Sequence, residues 1–215
     1  DSEGNSIEIM YMNWHLNRLF GDGIPSDPIA HKLPYPHPRQ DHIQNAARMI
    51  ESAKRPVLLV SSQAMLSSEA VPSLREAVLK LAIPTYLSGA ARGLLNTHDS
   101  IFFRQRRSDA LKQADLVVLA GAPFDFRLSY GRKIPCTTSV ISINRSKHDL
   151  NLNRKPALGI VADPAVAIQS IADICNKISS GWEDWLTSLK EAEQEREKEI
   201  EQQAGDSTGN LNPVA

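Results

Sequence analysis

The chain has 215 residues, and 41% of them are hydrophobic, which is enough for one large domain or one domain with extended arms. The formal net charge of −1 argues against a nucleic-acid-binding protein, and no apolar run approaches the length of a membrane span. The sequence shows no signal peptide, and its two cysteines, Cys136 and Cys175, suit a reducing compartment. Because the chain starts at Asp1 and not at Met, and ends abruptly at Ala215, we expect a soluble piece of a longer protein.

Residues 1–39 are predicted to form an extended N-terminal arm that links this domain to another. The segment WHLNRLF at 14–20 is compatible with two helical turns. The prolines that follow it exclude regular structure up to about residue 39. Two histidines among these prolines, His31 and His37, fit a solvated linker better than a metal site.

From residue 40 the hydrophobic pattern becomes regular and predicts an α/β domain over 40–181. Strands that are apolar on both faces alternate with helices, as in a parallel sheet that is covered on both sides. We therefore expect a Rossmann-like, doubly wound parallel sheet of five to six strands with helices on both faces. The helices are predicted at 40–54, 68–82, 108–114 and 164–178, and the strands at 57–60, 85–88, 116–121, 139–144 and 158–162, with a sixth at 99–103 or 134–137.

Residues 182–215 are predicted to form a C-terminal helix, over 182–204, and a linker. Trp182 and Trp185 are expected to anchor its first half by packing, while its polar second half leaves the domain as a solvated arm. Residues 183–201 hold eight acidic and three basic residues, whereas residues 92–155 hold twelve basic and five acidic ones. This division allows one part of the molecule to face an anion. The RQRR run at 104–107 is expected to be a solvated face, with phosphate contact as the less favoured interpretation.

The loops after the strands are where a doubly wound sheet binds its ligands. Four cations fall in these loops, and two interpretations of them stay open. One is a site for a phosphate-bearing ligand such as a nucleotide or coenzyme A, supported by nearby helix N-termini. The other is ordinary surface charge with internal salt bridges, for instance between Arg127 and Asp125. The four cations are Arg92, Arg127, Arg145 and Lys147.

Two details argue against a dinucleotide. The first loop, Ser61-Ser62-Gln63, lacks the glycines that let a backbone approach a pyrophosphate. The fourth strand ends in Asn144, whereas an Asp or Glu there would hold a ribose diol. Arg145, directly after it, suits a phosphorylated ribose such as that of coenzyme A.

Four stretches taken together resemble the central domain of thiamine-diphosphate enzymes of the acetolactate synthase and 2-hydroxyacyl-CoA lyase group. They are RPVLLVSSQAML, GAARGLL, ALKQADLVVLAGAPFDFRLSYG and GIVADPAVAI, and the closing LNPV also fits. The resemblance covers about residues 14–214. It rests on the order and spacing of these stretches, since no single motif is decisive.

The resemblance implies three α/β domains in series, of which this chain is the central one. The other two would hold the activating Glu, the thiamine diphosphate and its Mg²⁺, so this chain alone is not expected to be catalytic. Central domains of relatives bind FAD, ADP, coenzyme A or nothing. Five ligand positions of relatives match here, while Asn144 and Pro123 depart from the expected Asp and Arg and disfavour FAD. The matching positions are Gly89, Arg92, Gly121, Arg127 and Asp163, the last of which lies beside the adenine in relatives.

The triplet Gly21-Asp22-Gly23 looks like the start of the magnesium motif of these enzymes, but we interpret it as part of the linker. The metal-binding form needs a buried strand before it and a helix after it. Here Arg18-Leu19-Phe20 precedes it and a proline-rich segment follows. A short motif outside its structural context is mostly coincidence.

By resemblance, the parent enzyme is expected to cleave 2-hydroxyacyl-CoA to formyl-CoA and a shortened aldehyde. The domain would either position coenzyme A or space the two catalytic domains. The alternatives are an acetolactate-synthase-type carboligase and a purely structural or oligomerisation domain without ligand. The expected partners are the other two domains, further copies of the parent and an acyl-CoA substrate. One branch of the group is associated with the endoplasmic reticulum membrane, and the parent is otherwise expected in the cytoplasm.

Overall fold

The structure is a computed structural model that describes residues 2–21, 36–175 and 181–205. The chain divides into two compact units, one holding the first helix and the other holding the described residues from Pro36 onward. Helix α1, Ser2–Phe20, belongs to the first unit. It is much longer than the two turns expected at 14–20. Its polar first half carries no apolar periodicity from which a helix could be predicted.

The second unit is built on one parallel sheet of six strands in the order β3-β2-β1-β4-β5-β6. This order confirms the predicted doubly wound α/β fold and places the reversal of strand order between β1 and β4. The sixth strand is β3, at the first of the two positions considered for it. The strands are β1 Pro56–Val60, β2 Thr85–Leu87, β3 Phe102–Phe103, β4 Leu116–Ala120, β5 Ser139–Asn144 and β6 Leu158–Val161.

In the part of the chain that the structure describes, six helices accompany the sheet. Helices α2 and α3 both pack against α6. The short helix α5 was not predicted. It begins where the Ser146 hydroxyl accepts a hydrogen bond from the amide of Asp149 at 3.2 Å. The helices are α2 Gln40–Ser52, α3 Val71–Leu81, α4 Arg107–Gln113, α5 Lys147–Leu150, α6 Pro164–Ile174 and α7 Glu183–Gly205.

The middle of the sheet is buried on both faces. Every residue of β1 and β4 is buried, although successive side chains of a strand point to opposite faces. Strand β5 is buried at all positions after Ser139. Among the described residues, β3 and β6 therefore form the two edges of the sheet, and the loops at its carboxyl end follow strands that are buried on both faces.

Of the Gly21-Asp22-Gly23 triplet, only Gly21 lies within the described residues. It follows the last turn of α1, with a φ of +59° and its amide bonded to the Asn17 carbonyl at 2.8 Å. A helix thus precedes the triplet, where a magnesium motif needs a buried strand. No helix within the described residues is both long and apolar enough to cross a membrane.

Helix α7 does not leave the domain as expected. The carboxylate of Glu193 accepts hydrogen bonds from the backbone amides of Arg104 and Gln105 at 2.9 to 3.0 Å. Further along the helix, Glu197 pairs with Arg104, and Glu199 pairs with Arg106 at 2.8 Å. Arg104 and Arg106 of the RQRR run therefore pair with the acidic helix, so the expectation that α7 leaves the domain as a solvated arm is wrong.

The two tryptophans at the start of α7 are packing anchors, as predicted. Both are buried, and their indole N–H groups donate to backbone carbonyls at the beginning of the sheet. Trp182 bonds to Ala53 at 3.0 Å, and Trp185 bonds to Pro56 at 3.1 Å. These contacts fix the direction in which α7 runs back along the domain.

Replacing Glu193 by alanine is expected to lower the free energy of unfolding by about 1 to 3 kcal/mol. The reason is that two backbone amides and the Arg104 guanidinium lose a charged acceptor. Urea unfolding followed by circular dichroism measures the change. Glu195→Ala is the matched control, since Glu195 is exposed on the same helix. Equal effects of the two changes would contradict the packed arrangement of α7.

Candidate functional site

The crevice between β1 and β4 is the place where a doubly wound sheet would hold a nucleotide. Three loops meet there: Ser61–Ala64 after β1, Gly121–Pro123 after β4, and Arg145 with Ser146 after β5. The buried Ser61 amide bonds to the Ala120 carbonyl at 2.9 Å, which ties the first loop to the end of β4. We call this region the switch crevice.

The switch crevice is closed by direct contact between its first two loops. Gly121 has a φ of +76°, and a Cβ atom built on it would lie 2.8 Å from the Gln63 Cβ and 2.9 Å from the Ala64 nitrogen. Glycine is required there by both the backbone conformation and the space. The loops after β1 and β4 are therefore in direct contact at Gly121.

The Gln63 side chain extends this closure to the third loop. Its Oε1 accepts a hydrogen bond from the Arg145 amide at 3.2 Å. Backbone amides in such a loop are the groups that would otherwise bind a phosphate. The protein's own glutamine thus occupies this donor.

A second glycine pairs with the same loop from the other side. Gly89 has a φ of +58°, and a Cβ atom there would lie 2.2 Å from the Ser62 Oγ. That hydroxyl also accepts a hydrogen bond from the Ala90 amide at 3.1 Å. Gly89 and Gly121 were both predicted as ligand contacts. They allow the loop after β1 to pack closely against the loops after β2 and β4.

Arg145 and Asp163 form a paired unit at the far side of the crevice. The Arg145 Nε and Nη2 atoms donate to Asp163 Oδ2 at 3.0 and 2.7 Å, and the Asp163 side chain is only 1% exposed. Its other oxygen accepts from the amides of Ala165 and Val166 at 2.8 and 3.3 Å, which confirms the predicted helix start at α6. The carboxylate thus binds the arginine and caps the helix at the same time.

Asn144 is completely buried at the end of β5. Its Oδ1 accepts from the Ser146 amide at 2.9 Å, while its Nδ2 has no hydrogen-bond partner within the described residues. The side chain therefore shapes the turn into α5. Its Oδ1 already accepts a hydrogen bond from the protein backbone.

The remaining predicted cations lie apart from this unit. Arg127 donates to Asp125 Oδ2 at 2.9 Å and lies over the exposed Phe126 ring, so the predicted internal salt bridge is confirmed. Lys147 is the first residue of α5. Arg92 lies in the turn after β2, whose first residue, Gly89, packs against Ser62.

Arg92 lines a different cavity of about 570 Å³ at the carboxyl ends of β2 and β3. We call it the arginine cavity, because Arg104, Arg106 and Arg107 line it as well, with Tyr86 and Phe103 among its aromatic residues. Burial raises the pKa of the Tyr86 phenol, with smaller contributions from Glu193 and Asp109, so the phenol stays neutral. Sequence reasoning did not find this cavity, although a basic run directly after a predicted strand was the available signal.

A metal site is not formed by the described segments. Within residues 2–21, 36–175 and 181–205, no group of three His, Cys, Asp or Glu side chains is placed to hold a metal ion.

The close contact at Gly121 predicts that adding a side chain at this position destabilises the folded chain. Gly121→Ala is expected to lower the free energy of unfolding by about 2 to 4 kcal/mol, because the new Cβ meets Gln63 in a left-handed backbone conformation. Gly93→Ala is the control, since nothing lies within 4 Å of its Cβ position. Thermal and urea unfolding measure both changes. A Gly121→Ala protein as stable as the unsubstituted chain would show that the two loops are not in close contact.

Comparison with known proteins places this fold in a family. The profile of the thiamine pyrophosphate enzyme central domain matches residues 43–171. The chain is 37% identical over 215 residues to 2-hydroxyacyl-CoA lyase 2 of Danio rerio and 34% identical over 215 residues to that of Homo sapiens. These alignments cover 95% of the chain but only 34% and 33% of the relatives. A probable acetolactate synthase of Mycobacterium bovis is 28% identical over 76% of the chain and 30% of its own length.

The matched region contains α2 to α6 almost entirely, together with all six strands, the switch crevice and the arginine cavity. The chain spans about a third of the length of the two lyases, so their remaining parts have no counterpart in it. The chain belongs to the family of thiamine pyrophosphate enzymes, as their central domain.

Proposed function

We propose that this chain is the central domain of a thiamine-diphosphate-dependent lyase that acts on 2-hydroxyacyl-CoA. In this reaction the C1–C2 bond breaks, the hydroxyl-bearing carbon becomes the aldehyde, and the thioester carbon gains a proton to give formyl-CoA. The support is the 34 to 37% identity to proteins named 2-hydroxyacyl-CoA lyase 2 over 95% of the chain. The cofactor and Mg²⁺ would be held by the other two domains, where the cofactor supplies the carbanion chemistry.

Within that enzyme we propose that this domain spaces the two catalytic domains and that its switch crevice holds no dinucleotide. The observation that carries this assignment is the contact of Gly121 with Gln63, which brings the loops after β1 and β4 together across the crevice. The Arg145–Asp163 pair and the Ser62–Gly89 contact support the same role, because each uses up a predicted ligand group. FAD and ADP are therefore not proposed as ligands of this crevice.

A carboligase of the acetolactate synthase type is the second candidate. It is favoured by the 28% identity to a probable acetolactate synthase, over a smaller share of the chain. Attachment of the parent to the endoplasmic reticulum membrane and assembly of several copies follow from the resemblance alone, and they form part of the same proposal.

The reaction is tested on the full-length parent enzyme with thiamine diphosphate and Mg²⁺. Given a 2-hydroxyacyl-CoA, it is expected to release formyl-CoA and the shortened aldehyde, which mass spectrometry identifies. Given pyruvate, it is expected to form little acetolactate. Acetolactate formation without formyl-CoA release would replace the lyase with the carboligase.

The spacing role predicts that Arg145→Gln in the parent enzyme lowers the melting temperature but leaves KM for the acyl-CoA within about twofold. The reason is that the change leaves the buried Asp163 carboxylate without its arginine partner. Arg132→Gln is the control, because Arg132 is exposed. A different result would indicate that Arg145 contacts the acyl-CoA. In that case the melting temperature is unchanged and KM rises about tenfold, which is equivalent to about 1.4 kcal/mol of binding free energy.

A further inference from the structure

Two aromatic side chains are exposed on the loop that joins β4 to β5. Phe126 is 67% exposed and Tyr130 is 56% exposed, although both follow a completely buried strand. The Arg127 guanidinium lies 5.2 Å from the centre of the Phe126 ring, and its charge is balanced by Asp125. We call residues 124–138 the β4–β5 loop. It presents apolar rings and a neutralised cation to solvent.

The backbone of this loop adopts an unfavourable conformation at one of the two aromatic residues. Ser129 has a φ of +50° and Tyr130 has a φ of +57°, and Gly131 follows with a φ of +86°. Non-glycine residues adopt this left-handed region rarely, and they remain there only where the surrounding structure holds them. Such strain clusters at functional sites, so the orientation of Tyr130 suggests a role beyond connecting two strands.

The residues just before β6 supply the groups that hold the loop. The Arg154 guanidinium lies over the Phe124 ring at 5.8 Å and donates to backbone carbonyls of the loop. These carbonyls belong to Ile134, Pro135 and Thr138, at 2.6, 3.0 and 3.1 Å. Asn153 Nδ2 donates to the Phe124 carbonyl at 2.8 Å, and the Tyr130 amide donates to the Asp125 carbonyl at 2.8 Å. The exposed rings therefore stand on a loop that is fastened at both ends.

A groove of about 690 Å³ opens beside Tyr130. Cys136 and Lys155, which are both exposed, line it together with Tyr130. Aromatic residues and arginine are enriched in the centres of protein interfaces. A loop that already has its bound conformation loses little conformational entropy when a partner covers it. The β4–β5 loop thus has the composition, the exposure and the rigidity of a preformed protein-binding surface.

The small size of this surface limits which partner fits it. An aromatic side chain buries about 150–250 Å². Two of them fall well short of the ~1,200 Å² that a stable complex of separate molecules buries, which argues against a second copy of the chain. A covalently joined domain needs less area, because the connecting chain keeps its effective concentration high. The chain spans only 34% and 33% of the two lyases, so a parent of that length has further domains that could supply the partner.

We propose that the β4–β5 loop is a docking surface for another domain of the parent enzyme, which covers Phe126 and Tyr130 with a mainly apolar surface. Arg154 is the positioning residue that holds the loop in the docking conformation. This docking requires that the chain is one domain of a longer enzyme, as in the proposed function. It does not depend on which reaction that enzyme catalyses.

Hydroxyl-radical footprinting of the 215-residue chain and of the full-length parent enzyme, followed by mass spectrometry, tests this docking. Phe126 and Tyr130 are expected to be oxidised about fivefold or more slowly in the parent, because the core of an interface excludes water. Trp182 is the control, since it is buried in the chain and is expected to be protected in both proteins. Equal oxidation rates of the two exposed rings in the chain and in the parent would overturn the proposal.

Substitution of both rings tests the docking by a second route. Phe126→Ser/Tyr130→Ser is expected to lower the melting temperature of the parent by about 2 °C or more and to leave that of the isolated chain unchanged, because both rings are exposed in the chain. Phe126→Tyr/Tyr130→Phe keeps two rings and is the matched control, with both melting temperatures unchanged. Arg154→Gln is expected to lower both, since the loop loses its guanidinium donor in either protein. A serine double variant that affects the two proteins equally would contradict the docking.

Other occupants of this surface would give different results. A second copy of the chain would make the protection of the rings and the sedimentation coefficient of the isolated chain rise with its concentration. A small ligand would protect the rings in the isolated chain once ADP or an acyl-CoA is added. Either result would overturn the proposal. Footprinting requires no turnover, so a parent that forms acetolactate in place of formyl-CoA would still show the protection, and failure of the lyase assignment is distinguishable from failure of the docking.

Discussion

The fit of Gly121 against the loop after β1 is the constraint on which the carboxyl edge of this sheet depends. In a doubly wound sheet the loops on either side of the reversal diverge and leave a crevice for a ligand. Here the loop after β4 turns through a left-handed residue and contacts Gln63 and Ala64. Gln63 then reaches the Arg145 amide, and Arg145 reaches the carboxylate that caps α6. A chain of contacts thus crosses the edge at the position where relatives of this fold bind nucleotides.

The second organising feature is the contact between two oppositely charged segments that are about ninety residues apart. Single exposed ion pairs contribute little to stability. Glu193 differs because it accepts from two backbone amides in addition to its guanidinium partner. It fixes the segment that follows β3, and that segment carries Arg104, Arg106 and Arg107 of the arginine cavity. Part of the charge division in the sequence is therefore internal, since Arg104 and Arg106 pair with carboxylates of α7.

The local sequence was sufficient to predict the structure wherever neighbouring residues in the chain determine it. The runs of Val, Ile and Leu in β1, β4 and β5 predicted buried strands, and Asp163-Pro164 predicted the start of α6. The Arg127–Asp125 salt bridge was predictable because the two residues are neighbours in a turn. Strand β3 was only one of two alternatives, since two residues carry no periodicity.

Long-range contacts explain what the sequence did not reveal. The second half of α7 has a polar pattern without an apolar face, and its binding partners are arginines far away in the chain. The predicted ligand positions Gly89, Gly121, Arg145 and Asp163 were correctly placed at one edge, but their mutual contacts depend on how three loops meet. Arg92, another of the predicted site residues, lines the arginine cavity. Whether these positions bind a ligand stays a prediction.

A crystal structure of the chain grown with ADP tests the closure of the switch crevice most directly. We predict that Gln63 Oε1 still accepts from the Arg145 amide, that Arg145 still binds Asp163, and that no nucleotide density lies between Gly121 and Asn144. Nucleotide density in that crevice, with Gln63 displaced and Arg145 turned from Asp163 toward a phosphate, would contradict it.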